Sequence, residues 1–186
     1  MGRSQCYATV AIPIPNHVSP EAVIAFIQTY RPILRHNPSI VSFEKVVSRF
    51  DAIGNDSFFG PWDDTVCTFQ VREVITLAPG LTKDMSWPMI FQCIPDGIRF
   101  RGDAAVGVVA WNRMVVRPRQ QVMSPCSSEG STPSDVAEEW ELLFESTVEA
   151  NRLLMPFITG NTENFLRQIC EGLVDEIGGA AFHKAT

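Results

Sequence analysis

The chain has 186 residues, of which 45% are hydrophobic and 19% are charged, and its 21 acidic residues outnumber its 15 Lys and Arg residues. A chain of this length and composition can bury a sizeable core within one domain, which excludes disordered, collagen-like and disulfide-stapled miniature folds. The formal net charge of -6 argues against nucleic-acid binding, because a surface that follows phosphates needs clustered Lys and Arg. We expect a single domain spanning residues 1–186.

The cysteine pattern and the lengths of the apolar stretches indicate in which cellular compartment the protein is expected. The five cysteines are odd in number, form no CxxC motif and have no histidine at ligand spacing, which argues against a zinc site or a complete set of disulfides. No stretch approaches the ~18 to 20 uninterrupted apolar residues that cross a bilayer. Pro13 and Pro15 interrupt the N-terminal apolar run before it could form a signal-peptide core. These features indicate a cytoplasmic protein with reduced thiols and no integral membrane segment.

The first part of the chain predicts a strand, a broken helix and a second strand. Residues 5–14 are rich in β-branched and aromatic side chains, which favours a strand. Ser19 is a suitable N-cap for a helix with Pro20 in its first position, and apolar residues then recur at three-and-four spacing. A further helical turn follows Pro32, and residues 39–50 again have a strand pattern.

The middle of the chain is dense in strand signals. Residues 67–75 alternate so that one face of the predicted strand is apolar except for Glu73. Pro79–Gly80 marks a turn, and residues 87–94 form the next strand. After a second turn the strand signals continue over residues 98–116, where the later part is apolar on both faces.

The last part predicts a loop, a strand and the longest helix. Residues 117–138 are rich in Ser, Pro and Gly, which indicates a mobile loop, and residues 140–148 alternate as a final strand. Residues 151–158 have a helical pattern that Pro156 or Gly160 should interrupt.

A continuous apolar stripe marks the last helix. Thr162 is its predicted cap and Gly178–Gly179 its predicted end. The stripe consists of Phe165, Leu166, Ile169, Cys170, Leu173, Val174 and Ile177. Such a helix is too apolar to stand alone and must lie against the sheet. The predicted fold class is therefore α+β, a curved antiparallel sheet gripping a long C-terminal helix, with short helices after the first strand. A curved sheet around a helix leaves a space that can hold a small molecule.

The pattern resembles the START-like (SRPBCC) helix-grip superfamily, which includes polyketide cyclases, aromatase/cyclases and lipid-transfer domains. It is most similar to a fungal family of uncharacterised START-like proteins. The resemblance covers nearly the whole chain and is carried by the opening strand with its helical segment and by NPSIVSFEKV, TVCTFQVREVITLAPG, WPMIFQCIPDGIRFRGDAAVG and ESTVEANRLLMPFITGN. The chain departs from these relatives at Pro156 and Gly160, which interrupt what is otherwise one helix. The resemblance implies an enzyme or carrier for an apolar ligand.

The known motifs for nucleophilic, nucleotide and zinc chemistry are missing from the sequence, since it contains no GxSxG, GxGxxG, GxxxxGK[ST] or HExxH. We therefore expect an activity without a cofactor or a metal ion. Such catalysis needs an enclosing shape, exclusion of water and one or two polar groups that bind developing charge. The candidates are polar residues or donors within apolar strands, namely Glu73, Trp111, Asn112 and Gln92. Glu73 could equally meet solvent or an Arg at a strand end, and Trp111 and Asn112 could serve only packing.

The candidate substrate-binding residues are those expected to border the space between sheet and helix. They are Tyr7, His36, Phe69, Val71, Met89, Phe91, Phe144, Met155, Phe157, Phe165 and Ile169. Aromatic and Met side chains of this kind are more often core than ligand lining, but a partly hollow core lets them be both.

The sequence favours a cofactor-independent cyclase of fungal secondary metabolism acting on an apolar terpenoid or polyketide, with an intramolecular Diels–Alder cyclisation as the preferred subtype. Enclosure would hold the reactive conformer, and a donor would polarise an enal or enone carbonyl. The alternative is a non-catalytic lipid or sterol carrier with the same pocket. A homodimer is left open.

Overall fold

Seven antiparallel strands form one sheet that wraps around the C-terminal helix. The computed structural model describes residues 2–78, 81–104, 107–119 and 139–184. The strands are β1 Arg3–Pro13, β2 Ile40–Val46, β3 Cys67–Ala78, β4 Leu81–Ile94, β5 Gly97–Ala104, β6 Val108–Pro118 and β7 Trp140–Asn151. The helices are α1 Pro20–Ile27, α2 Arg31–His36, α3 Met155–Thr159 and α4 Thr162–Lys184. The sheet order β1-β7-β6-β5-β4-β3-β2 confirms the predicted helix-grip fold.

The helices α1 and α2 connect the two edge strands and begin as the sequence predicts. The Ser19 hydroxyl accepts a hydrogen bond from the Ala22 N–H at 3.2 Å, and Pro20 opens α1. Tyr30 lies between the two helices with φ at 64° and ψ at −36°, at the centre of a three-residue turn closed by a hydrogen bond from the Arg31 N–H to the Thr29 carbonyl at 2.8 Å. Val23 and Ile27 of α1 and Ile33 of α2 are buried, so both helices close one end of the interior.

Large side chains fill one end of the space between the concave face of the sheet and α4. Phe91 lies at the centre of this packing, stacked on Phe100 with ring centroids 5.0 Å apart and edge-on to Phe69 at 5.8 Å. The predicted α4 stripe packs against it, and its residues from Leu166 to Ile177 are buried. This core holds the sheet and α4 together at that end.

The segment between β2 and β3 covers the convex face of the sheet. Ile53 and Phe59 of this segment pack on Ile90 of β4 in a second apolar cluster. Asp56 attaches this segment to the sheet, because its carboxylate accepts hydrogen bonds from the Arg101 guanidinium at 2.6 Å and from the Trp111 indole at 3.0 Å. This segment therefore covers the part of the convex face that contains Ile90, Arg101 and Trp111.

Acid should weaken this attachment at Asp56. Burial raises the pKa of Asp56, but hydrogen bonds from Trp111 and Arg101 outweigh it and hold the pKa below its usual range. A carboxyl with a lower pKa in the folded chain stabilises the fold above its unfolded pKa of about 3.9, and this stabilisation is lost as pH falls through the folded pKa. We expect Asp56→Asn to cost about 1–3 kcal/mol at neutral pH and to make stability less sensitive to pH below about 4. Urea unfolding at several pH values measures both effects.

The exposed Asp51, in the same segment, provides the control for this measurement. Asp51→Asn should leave stability within about 0.5 kcal/mol of the wild type. Equal acid sensitivity of the wild type and Asp56→Asn would contradict the assignment.

Several predicted element boundaries are wrong. β2 ends at Val46, and Phe50 belongs instead to a 3-10 turn. β7 extends to Asn151, so the helical pattern yields only the short α3. Thr162 is the first residue of α4, and its hydroxyl donates to the Ile158 carbonyl at 2.6 Å. The predicted interruption before α4 occurs at Gly160, the C-cap of α3, whereas Pro156 lies in the first turn of α3 and does not break it.

Gly178–Gly179 does not end α4, which continues to Lys184. A helical glycine costs only about 1 kcal/mol relative to alanine, which the burial of the preceding stripe outweighs. The predicted loop at 117–138 begins too early, because Arg117 and Pro118 belong to β6. Residues 120–138 and the predicted turn at 79–80 lie outside the described residues. Within the part of the chain that is described, no helix is long and apolar enough to cross a membrane.

Candidate functional site

A cavity of about 420 Å³ lies between the concave face of the sheet and α4, with residues of α2 and α3 contributing to its wall. Its apolar lining residues are Ile33, Trp87, Met89, Phe100, Gly102, Ala104, Val108, Ala110, Phe144, Val148, Ile158, Phe165, Leu166 and Ile169. Its polar lining residues are Asn37, Ser39, Glu73, Asn112, Ser146, Asn161 and Thr162. This volume is within the usual range of small-molecule pockets.

Strand register explains why the interior is hollow at this end. One row across β5, β6 and β7 holds Ile98, Met114 and Phe144, which are large and buried. Two rows further along the strands, the aligned residues are Gly102, Ala110 and Val148. Because all of these positions face α4, the change from large to small side chains leaves a space that the helix cannot fill.

Glu73 of β3 and Trp87 of β4 form one polar element of the wall. The Trp87 indole N–H donates to Glu73 Oε2 at 3.3 Å. The indole ring lies directly over Gly102 of β5, where an added Cβ would come within 2.6 Å of Cζ3 of Trp87. The absence of a side chain at Gly102 therefore leaves room for the Trp87 ring, and the Trp87 indole in turn positions the Glu73 carboxyl group by its hydrogen bond.

Asn112 of β6 and Ser146 of β7 form the second polar element. They are paired across the strands and are 7% and 4% exposed, so both are enclosed by protein. The Asn112 amide donates to the Ala110 carbonyl at 3.3 Å. The other amide N–H of Asn112 and the Ser146 hydroxyl make no hydrogen bond with any described residue, so both remain available to a guest molecule.

The cavity wall contains six of the predicted site residues. Of the predicted catalytic residues it includes Glu73 and Asn112, and of the predicted substrate-binding residues it includes Met89, Phe144, Phe165 and Ile169. Phe69, Val71 and Phe91 face the same side of the sheet but pack in the filled end of the core. Met155 is buried at the start of α3 and is not a lining residue. The side chain of Phe157 lies outside what the structure describes.

Trp111 and Gln92 face away from the cavity, which corrects their predicted placement. The Trp111 indole donates to Asp56 on the convex face. The Gln92 amide donates to the Pro61 carbonyl at 2.7 Å, and its oxygen accepts from the Gly60 N–H at 3.0 Å. Successive residues of a strand face opposite sides of the sheet. Because Phe91 and Asn112 face α4, the adjacent Gln92 and Trp111 face the convex side. Both attach the segment that covers the convex face.

Tyr7 and His36 are also outside the cavity wall. Tyr7 is 75% exposed on the outer face of β1, where its hydroxyl donates to Gln5. His36 Nε2 lies 2.7 Å from Glu176 Oε2, and its ring packs on Gly172 of α4. His36 therefore ties α2 to α4 beside the cavity. Sequence reasoning missed Trp87, Gly102, Ala110 and Ser146 as parts of the site, although small residues on inward-facing strand positions are a usable signal for a hollow.

Adding a side chain at Gly102 should displace Trp87. We expect Gly102→Val to lower the free energy of unfolding by about 1–3 kcal/mol, because the indole ring must leave its position. Intrinsic tryptophan fluorescence should change together with the urea midpoint. Gly179→Ala is the control, since nothing lies within 4 Å of a Cβ at this helical position, and it should stabilise the protein by about 0.5–1 kcal/mol. An unchanged spectrum in Gly102→Val would contradict this placement of Trp87.

The chain belongs to the family described as Domain of unknown function (DUF7053), whose model matches residues 3–178. No curated protein matches the chain.

Solved structures share the fold at low sequence identity. TTHA0849 from Thermus thermophilus has a TM-score of 0.57 and 14% identity, over 95% of this chain and 99% of that one. A point mutant of norcoclaurine synthase from Thalictrum flavum, in complex with a transition-state analogue, has a TM-score of 0.55 and 8% identity, over 97% and 98% of the two chains. The di-domain ARO/CYC BexL from the BE-7585A biosynthetic pathway has a TM-score of 0.51 and 12% identity; the match covers 93% of this chain and 49% of that chain.

Proposed function

We propose that the protein is a cofactor-independent cyclase of natural-product biosynthesis that acts on an apolar terpenoid or polyketide, in fungal secondary metabolism as the sequence resemblance implies. The observation that carries the proposal is the apolar cavity of about 420 Å³ whose polar wall residues include the Glu73 carboxyl group and the Asn112–Ser146 pair. Enclosure holds a flexible chain in a folded conformer and excludes water, and the polar groups act on the reacting atoms.

Glu73 and Asn112 support an aldol-type cyclisation. In this step Glu73 takes a proton from the carbon beside a substrate carbonyl, and that carbon forms a bond to a second carbonyl carbon. The Asn112 N–H donates to the oxygen that becomes negatively charged, and the proton returns from Glu73 to that oxygen. Atoms and electrons balance without an oxidant, a reductant or a cofactor.

An intramolecular Diels–Alder cyclisation is the second subtype that this cavity could support. It needs the folded conformer and one donor to the dienophile carbonyl, and it needs no proton transfer. Of the donors predicted from the sequence, Asn112 is the one found in the wall, since Trp111 and Gln92 lie on the other face of the sheet. The presence of the Glu73 carboxyl group in the wall favours the aldol-type reaction.

The similar folds support a role in natural-product chemistry. By its description BexL belongs to a biosynthetic pathway, and another of the similar structures is that of a synthase. Both place this sheet-and-helix architecture among proteins of small-molecule biosynthesis, and we extend that chemical setting to this chain.

Cyclisation assays with linear polyketide and polyene precursors test the proposal. We expect the protein to raise the rate or change the product ratio relative to buffer. Ala110→Trp should abolish this effect because the indole would occupy the cavity, while Ala25→Trp, on the exposed side of α1, should retain it. Rates and products equal to buffer across the precursor set, together with a membrane lipid extracted from the purified protein, would instead support the carrier.

A further inference from the structure

The charge of the cavity wall is carried by one residue. Glu73 is the single acidic or basic side chain among the described lining residues. Its cross-strand neighbours are Ile40 of β2 and Met85 of β4, both uncharged. Its Oε2 accepts from Trp87, and its other oxygen has no hydrogen-bond donor among the described residues. The charged Arg72 next to it in sequence pairs with Asp84 on the opposite face.

A carboxylate in this position favours a guest with a positive charge. Partial removal from water weakens its hydration, and none of the described lining residues supplies a cation to compensate. An ammonium group on a guest would supply both the opposite charge and a donor to the free oxygen, as a charge-assisted hydrogen bond. The Trp87 ring beside the carboxylate adds attraction for a cation near its face. A guest with its own carboxylate, such as a fatty acid, would meet repulsion instead.

We propose that this cavity selects apolar guests that carry a protonated amine at the end held against Glu73 and Trp87. The inference rests on the proposed function, since it names the substrate class of the same site. At roughly 30 Å³ for each water molecule, the cavity of about 420 Å³ has the volume of about 14 waters, and it accommodates a compact skeleton of at least as many heavy atoms because bonded atoms pack more closely than water molecules. An amine on a bicyclic aromatic or short terpenoid skeleton meets both requirements.

Three probes with one skeleton test the charge preference directly. They are 2-(2-naphthyl)ethylamine as the cation, 2-(2-naphthyl)ethanol as the neutral analogue and 2-naphthylacetate as the anion. Binding is measured by titration calorimetry at neutral pH. We expect the amine to bind roughly tenfold more tightly than the alcohol, as a charge-assisted hydrogen bond provides, and the acetate to bind most weakly.

Two variants separate the Glu73 carboxylate from the overall charge of the protein. Glu73→Gln keeps the size of the side chain and should remove the preference for the amine while leaving affinity for the alcohol within about threefold. Glu44→Gln changes the same charge on an exposed position of β2 and should bind all three probes as the wild type does.

The outcomes distinguish this inference from the proposed function. Equal binding of the amine and the alcohol to the wild type, or an amine preference that survives in Glu73→Gln, would overturn the inference and leave an apolar binding cavity in place. Failure of all three probes to bind would overturn both. An alcohol preference over the amine would show that Glu73 selects neutral donors, which also overturns the inference.

Discussion

Replacing Phe91 by alanine is expected to lower the free energy of unfolding by about 3–5 kcal/mol. Phe91 is fully buried at the filled end of the core, where its ring contacts Tyr30 at 5.1 Å and Phe100 at 5.0 Å between centroids. Removing it loses the transfer free energy of a large aromatic side chain and leaves a hole between the sheet and the helices. Urea unfolding followed by circular dichroism measures the loss.

Phe50→Ala is the matched control for this measurement. Phe50 is 66% exposed in the segment between β2 and β3, so its removal should cost less than about 1 kcal/mol. If Phe91→Ala also cost less than about 1 kcal/mol, the packed end of the interior would not be the part that holds the sheet to α4.

The alternation in β3 made the inward face predictable from sequence. Cys67, Phe69 and Val71 are apolar, and the residues between them are polar or exposed on the other face, so the position of Glu73 among them follows from period two alone. The same reasoning identified the α4 stripe, because one face of that helix is apolar and the other charged. Both elements have a solvent side that contrasts with the buried side.

The sequence of β6 did not show in this way which of its residues face α4. Val115 on its convex side is 2% exposed, and Met114 on its concave side is fully buried. Because buried apolar residues occur on both faces of the strand, the apolar pattern does not show which face is directed toward the helix. The register with β7, which a single sequence does not display, is what directs Asn112 into the cavity and Trp111 away from it.

The cavity itself depends on rows of side chains that come from separate strands. Gly102, Ala110 and Val148 belong to three different strands and become one row of smaller side chains only after β5, β6 and β7 pair. The periodicity of a sequence shows which residues face inward, but it does not show whether their side chains fill the space between the sheet and α4. The filled and hollow ends of this interior therefore have the same sequence pattern and differ only in side-chain volume.

Glu73→Gln is expected to lower the rate of cyclisation by about 10²–10⁴-fold, the usual contribution of a positioned acid or base. Glutamine keeps the shape of the side chain and can still accept the Trp87 hydrogen bond, but it cannot take and return a proton. Single-turnover rates with a linear polyketide precursor measure the effect. The exposed Glu44→Gln should retain the wild-type rate.

Asn112→Leu separates the two proposed subtypes when it is measured beside Glu73→Gln. Leucine has nearly the shape of asparagine but no donor, so it should slow either reaction by about 10²–10³-fold, as the loss of an oxyanion donor does. An aldol-type step uses both residues, and therefore both variants should be slow. A Diels–Alder step needs no proton transfer, so Asn112→Leu would be slow while Glu73→Gln kept the wild-type rate. Wild-type rates in both variants would mean that the polar groups of the wall do not act on the reacting atoms.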